Sequence, residues 1–207
     1  MNNMKKLFFT IICAFFSLAS LADNSTNIIN KVVSNYKTQK GISATYTIST
    51  NQGSSSGSII MEGNKFYMKS KELVCWYDGK TQWSYSPMTE EVNISEPTNE
   101  ELQMVNPYAI VSNFKNTFNS KQVKSPEAGF HVVLLTPKEN KSTDIASIEI
   151  SVNFTTYLPN KIVFNLNDKT RLTIIVSNYK CRQSFESSTF TFNKSLVPNG
   201  TPIIDLR

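Results

Sequence analysis

Histidine is almost absent: His131 is the single one in 207 residues. A histidine metal cluster or a nucleophile–histidine triad has almost nothing to draw on. His131 itself sits in Phe130-His131-Val132, an alternating stretch that reads as a strand with a solvated histidine. Glycine and proline number only 7 and 8, which excludes a collagen-like or low-complexity chain. After the N-terminus no apolar run approaches the ~20 residues that span a bilayer. Charged residues make up 18% against 40% hydrophobic, too few charges and too much apolar surface for a disordered polymer. There is no glycine-rich phosphate loop, no metal-ligand spacing and no paired-carboxylate motif. Glu90-Glu91 reads as a turn, and Glu100-Glu101 as the acids that a helix start favours. The reading is a protein that binds rather than catalyses, with no cofactor and no metal.

What is present begins with a leader. Lys5 and Lys6 precede an apolar run from Leu7 to Leu18, and Ser20-Leu21-Ala22 places small residues before Asp23. Charge, short apolar run and small residues in that order describe a secretory signal peptide, cleaved after Ala22. Cys13 raises a lipoprotein reading, but Thr10-Ile11-Ile12 before it lacks the residues such processing requires. The expected mature product is residues 23–207, one soluble exported domain. Loss of Lys5 and Lys6 lowers the formal charge from +5 to +3. No basic cluster exceeds two residues, so no nucleic-acid partner is expected. Cys75 and Cys181 remain; they could pair in an oxidising compartment or serve as small apolar fillers.

Ile28, Ile29, Val32, Val33 and Tyr36 recur at spacings of three and four, predicting a helix over Asn24–Gln39 that Gly41 ends. The period then changes to two: Ile42, Ala44, Tyr46 and Ile48 alternate with hydroxyl residues, as in a strand with one buried face. Residues 51–57 read as a loop, and Phe66 and Met68 share a face of a following strand. Asp78-Gly79 between Leu73–Tyr77 and Lys80–Tyr85 predicts a two-residue hairpin turn. That register opposes Val74 to Trp83 and Trp76 to Thr81, so Val74, Trp76, Trp83 and Tyr85 share one face. Thr98-Asn99-Glu100-Glu101 has the form of a capping box. The helix it opens is broken at Pro107, and a second carries Ala109, Ile110, Phe114, Thr117 and Phe118 on one side. Further strands are expected at 130–136, 145–154, 160–166, 170–177 and 185–192.

With about ten or eleven strands and no long crossover helices, the expected fold is mainly β. It is an incomplete antiparallel barrel, curled because a sheet this wide must curl, with the helices over its open side as a lid. Such a sheet has more concave surface than its own side chains fill. Phe66, Met68, Trp76, Trp83, Tyr85, Ile110, Phe114 and Phe118 are the candidate lining of an apolar cavity closed by the 98–119 helices. An ordinary packed core is the alternative.

The stretches Asp78-Gly79-Lys80-Thr81-Gln82-Trp83-Ser84-Tyr85-Ser86-Pro87 and Leu135-Thr136-Pro137-Lys138 are similar, in order and spacing, to segments of the outer-membrane lipoprotein carrier proteins (LolA). So is the ending Phe190-Thr191-Phe192 with Pro198-Asn199-Gly200 and Asp205. The resemblance spans nearly the whole mature chain. It implies a monomeric periplasmic chaperone whose cavity shields the acyl chains of lipoproteins. Its implied partners are acylated lipoproteins, an inner-membrane lipoprotein-releasing ABC transporter and an outer-membrane lipoprotein acceptor. A lipid- or lipoprotein-sensing regulatory domain of the same fold is the other implied role. One departure stands out: an arginine that latches the family's lid, just before the third strand, is missing from Glu62-Gly63-Asn64-Lys65. Lys65 lacks the bidentate fork to replace it.

Overall fold

The computed structural model describes residues 20–98, 101–102, 114–139, 141 and 143–207. The leader expected over 1–22 thus lies outside the described residues as far as 19, and helix α1 runs Ser20–Thr38. No described helix is long and apolar enough to cross a membrane.

Twelve strands follow: β1 Gly41–Thr50, β2 Gly53–Glu62, β3 Lys65–Ser70, β4 Val74–Tyr77, β5 Gln82–Ser86 and β6 Glu91–Ser95 form the first group. A single helical turn, α2 (Phe114–Thr117), leads into β7 Phe118–Val123, β8 Phe130–Pro137, β9 Ile145–Asn153, β10 Pro159–Leu166, β11 Arg171–Gln183 and β12 Ile203–Asp205. All twelve make one sheet in the order β12-β6-β5-β4-β3-β2-β1-β11-β10-β9-β8-β7. Its edges, β12 and β7, do not pair, so the barrel is incomplete. Every pairing is antiparallel except β12 on β6, which is parallel.

Curvature has a local source in β11. Against β1 its register slips by one residue twice, between the Gly41 and Ser43 pairs and between the Ser43 and Thr45 pairs. Asn178 and Arg182 adopt positive φ of 54° and 59° there. Two bulges in one long strand bend it and raise its twist, which lets a wide sheet roll up.

The core lies along the concave face. Ile42, Ala44 and Tyr46 of β1 meet Met61 and Ile59 of β2, and these meet Phe66 and Met68 of β3. The other half continues through Val176 and Ile174, Ile162 and Phe164, Ile150 and Ile148, Val133 and Leu135. The alternation of β1 predicts this face correctly: its hydroxyls turn outward, where Thr47 meets Ser56 at 2.9 Å and Thr45 meets Ser177 at 3.1 Å. Helix α1 lies against β7 and β8 and adds Ile28, Ile29 and Val32 to the core. Buried Ser25 bonds the Ser120 hydroxyl at 3.0 Å.

Four local expectations are corrected. The 51–57 loop is a two-residue turn, because Thr50 already pairs with Gly53. The Asp78-Gly79 hairpin has a four-residue loop, with Val74 opposite Tyr85 and Trp76 opposite Trp83. The Asp78 carboxylate accepts from the backbone N–H of Lys80 and Thr81 at 2.9 and 2.8 Å, and Gly79 takes φ +104°. That side-chain-closed turn moves the register by two and leaves face sharing intact. Phe118 opens β7 instead of closing a helix, since its strand pairs with β8 from Pro137 onward. Finally, 185–192 is no strand. A 3-10 turn, Ser187–Phe190, buries Phe190 against the sheet's outer face.

Candidate functional site

The two ends of the concave face are closed differently. One end carries the turns at 63–64, 78–81 and 154–158, and α1 is tied to it. Tyr36 donates to the Gly63 carbonyl at 3.0 Å, Asn35 to the Thr156 carbonyl at 2.6 Å and Lys31 to the Tyr157 hydroxyl at 3.0 Å. The Lys31 ammonium also lies 4.8 Å from the Tyr157 ring centre, and His131 stacks on that ring at 6.2 Å. His131 lies in a strand as expected, but it is half-buried and packed between Phe154 and Tyr157 instead of solvated.

At the opposite end β1, β3 and β10 finish and β11 begins. Ile48, Leu73, Leu166 and Leu172 here are only partly buried, though they adjoin the core. Leu102, Phe114 and Phe118 reach the same core from the segment that connects β6 to β8. The start of that segment is fixed by the capping box. The Thr98 N–H donates to the Glu101 carboxylate at 2.7 Å, the Glu101 N–H returns to the Thr98 hydroxyl at 3.3 Å, and the Leu102 N–H closes on the Thr98 carbonyl at 3.0 Å. Bonds from the Thr98 backbone and hydroxyl hold the Glu101 carboxyl below its ordinary value. Such reciprocal bonds satisfy amides that otherwise lack partners.

The rim is mostly apolar, with one polar clasp. Glu72 accepts from the Ser55 and Ser70 hydroxyls at 2.5 and 3.0 Å, and these bonds hold its carboxyl below the usual range. On the concave wall, burial raises the Tyr46 phenol and pushes the Cys75 thiol up to about 12. Cys75 and Cys181 are both free. Among the described residues no three His, Cys, Asp or Glu converge on a metal-sized site. The concave wall here is apolar and bounded by half-covered leucines.

The structure divides the residues expected to line one cavity. Phe66 and Met68 lie in the buried core of the concave side with Cys75 and Tyr77 opposite them, and Phe114 and Phe118 join them, packed as core residues are. Trp76 opposes Tyr67, so Trp76, Trp83 and Tyr85 belong to the outer face. There Phe192 of the C-terminal segment meets Trp76 edge-on at 5.4 Å. The error lies between hairpins: Phe66 pairs with Tyr77, which puts Trp76 on the far side. Ile110 and the break at Pro107 lie outside the described residues. The Glu62–Lys65 turn sits at the α1 end, not at the rim. Its Glu62 carboxylate accepts from the Phe185 N–H at 3.3 Å, and Lys65 lies 6.0 Å from the Phe190 ring centre. Lys65 therefore packs on the C-terminal segment.

Sequence reasoning missed Ile48, Leu73, Leu102, Leu166 and Leu172. A signal for three of them was present, since the alternations Ala44-Tyr46-Ile48, Ile162-Phe164-Leu166 and Leu172-Ile174-Val176 point them inward. Their position at the strand ends makes them rim rather than core.

A family profile described as outer membrane lipoprotein carrier protein LolA matches residues 15–168. No curated protein matches the chain. Among solved structures, an uncharacterised conserved protein from Thermus thermophilus superposes with a TM-score of 0.60 at 13% identity, covering 88% of this chain and 99% of the other. A DUF1329 family protein from Desulfovibrio piger gives 0.52 at 10%, covering 86% and 99%. A domain described as a putative outer membrane lipoprotein-sorting protein, from Vibrio parahaemolyticus, gives 0.51 at 11%, covering 84% and 98%. At these identities the superpositions speak to the fold, a curled and unclosed sheet, and the profile speaks to kinship. The chain belongs to the LolA family of outer membrane lipoprotein carrier proteins.

Proposed function

We propose that this protein is an exported, non-catalytic chaperone that shelters the acyl chains of lipoproteins in the hollow of its sheet. It takes them from a releasing transporter in the inner membrane across the periplasm to an acceptor at the outer membrane. The observation that carries this reading is the half-covered rim of Ile48, Leu73, Leu166 and Leu172 beside Leu102. A finished core would bury all of these.

The magnitudes favour exchange over permanent storage. Displacing Leu102 and Phe114 from the core costs about 1.5–3 kcal/mol each, and each acyl methylene buried in their place returns about 0.8 kcal/mol. Roughly four to eight methylenes therefore offset the opening of the lid. A longer chain is held, and an acceptor with a better-covered site can take it.

The test is extraction. Purified protein added to membranes bearing an acylated lipoprotein should draw it into a soluble one-to-one complex. Mass spectrometry of the protein isolated from periplasm should find the same cargo. The proposal fails if no soluble complex forms with any acylated partner while the non-acylated form behaves identically.

A further inference from the structure

A second apolar surface lies on the convex face, away from the hollow. After β11 the chain crosses the outside of β3–β5 and ends as β12 on β6, where Val92 N–H donates to the Pro202 carbonyl at 2.9 Å. Between this strap and the sheet runs an open groove of about 610 Å³. Its floor is apolar and aromatic, with Ile60, Tyr67, Val74, Trp76 and Tyr85, and Leu196 of the strap forms one wall.

Three observations describe its occupant. First, the groove is lined by Lys69 and Lys71 and by no acidic residue, and among the described residues neither lysine makes an ion pair within 4 Å. Neighbouring Glu72 is bound to Ser55 and Ser70 and feels Lys71, while Glu90, the last residue of the β5–β6 turn, and Glu91, which opens β6, are not among the lining residues. Second, no described residue bonds the Tyr67 and Tyr85 hydroxyls, which leaves both free to donate. Third, large apolar side chains project beside it. Met88, which follows the lining residue Pro87, is 85% exposed, and Leu196 is 54% exposed. A single exposed leucine needs no explanation, but two such side chains flanking an unpaired basic, donor-rich aromatic groove form a patch.

We infer that this convex groove docks the protein on anionic phospholipid bilayers, a lipid phosphate meeting Lys69, Lys71 and the tyrosine hydroxyls while Met88 and Leu196 enter the interface. Lysines near such a surface are attracted by its negative potential, and amphipathic aromatic rings suit the headgroup layer. Attachment by two lysines and two side chains is weak and reversible. The inference rests on the convex face and not on the acyl-carrying reading.

Vesicle sedimentation tests it. At low ionic strength the purified protein should sediment with vesicles of phosphatidylethanolamine and phosphatidylglycerol and not with phosphatidylcholine vesicles. Each lysine removed should lower partition about fivefold, so K69Q/K71Q should lose about 25-fold. M88S/L196S should bind more weakly than wild type. All four positions are exposed, so folding should survive, as circular dichroism would verify. Leu172→Asp, which alters the hollow, should bind vesicles like wild type. The inference is overturned if wild type ignores anionic vesicles, if K69Q/K71Q and M88S/L196S sediment unchanged, or if the lysine variant loses a protein partner while vesicle binding is untouched. None of these outcomes bears on whether the hollow captures acyl chains.

Discussion

Replacing Trp76 by alanine separates the two faces of the sheet. The side chain is 4% exposed, lies edge-on to Phe192 at 5.4 Å and is tilted against Tyr67 at 5.7 Å. Truncating a buried aromatic of this size costs about 3–5 kcal/mol. For a chain of this length each kcal/mol lowers Tm by about 2–4 °C, so the midpoint should fall by roughly 6–20 °C. Native stabilities run to about 5–15 kcal/mol, so a folded population remains in the cold. Because Trp76 pairs with Tyr67 and lies outside the concave core, the folded variant should capture an acylated partner as well as wild type does. Leu172→Asp should do the reverse. It places a charge on the rim, lowers Tm far less, and abolishes capture. Calorimetry gives the first quantity, and co-elution of cargo measured below both midpoints gives the second. If Trp76→Ala stays folded but captures nothing, while Leu172→Asp captures normally, the hollow is on the wrong face and the reasoning fails.

Further outcomes follow from single contacts. At Gly57 an added Cβ would lie 2.2 Å from the Lys69 carbonyl oxygen and 2.6 Å from the Tyr46 hydroxyl. Gly57→Ala should therefore destabilise by about 3 kcal/mol or more, as overpacking of backbone does, visible in denaturant titration. Thr98→Ala removes the cap of the segment bearing Leu102 and should cost about 1 kcal/mol, read as roughly fivefold faster exchange of its first amides. The Glu101 carboxyl is held low by the same cap, so its contribution is complete above the ordinary carboxylate range. It is lost as pH falls through the depressed folded value; the Thr98 amide should lose protection on acidification and not on alkalisation. Cys75, buried with its thiol pushed up to about 12, should resist alkylation at neutral pH until the protein unfolds. Mass spectrometry under non-reducing conditions should find no bond to Cys181.

Much of this architecture is legible in the sequence because strand and helix periods are local. The alternation of β1 marks its buried face, and Thr98 with Glu101 marks the capping bonds that form between them. Val74, Trp76, Trp83 and Tyr85 fall together even with a register wrong by two. What local pattern does not contain is the relation between neighbouring hairpins. Phe66 and Met68 group with Trp76 by size, yet β3 and β4 are apolar on both sides. Phe66, Met68, Cys75 and Tyr77 point one way, and Tyr67 and Trp76 the other. Size carries no information about side when both sides are greasy.

A sheet that is apolar on both faces needs two covers, and this physical demand accounts for the remaining errors together. Phe185, Phe190 and Phe192 alternate imperfectly and read as one more strand. In the fold they leave the sheet after the Arg182 bulge, and Phe190, 1% exposed, seals the outer aromatics. The inner face receives α1 at one end, bound by at least three hydrogen bonds to the sheet's turns. At the other end it receives a few side chains from the segment after the capping box. The outer cover is built as part of the sheet, ending in β12, and among the described residues Leu102, Phe114 and Phe118 reach the inner face at the other end, Phe118 from within β7. A cover sewn into the strand order cannot lift without breaking a ladder, which under the proposed reading leaves Leu102 and Phe114, outside the strands, as the described side chains a guest would displace.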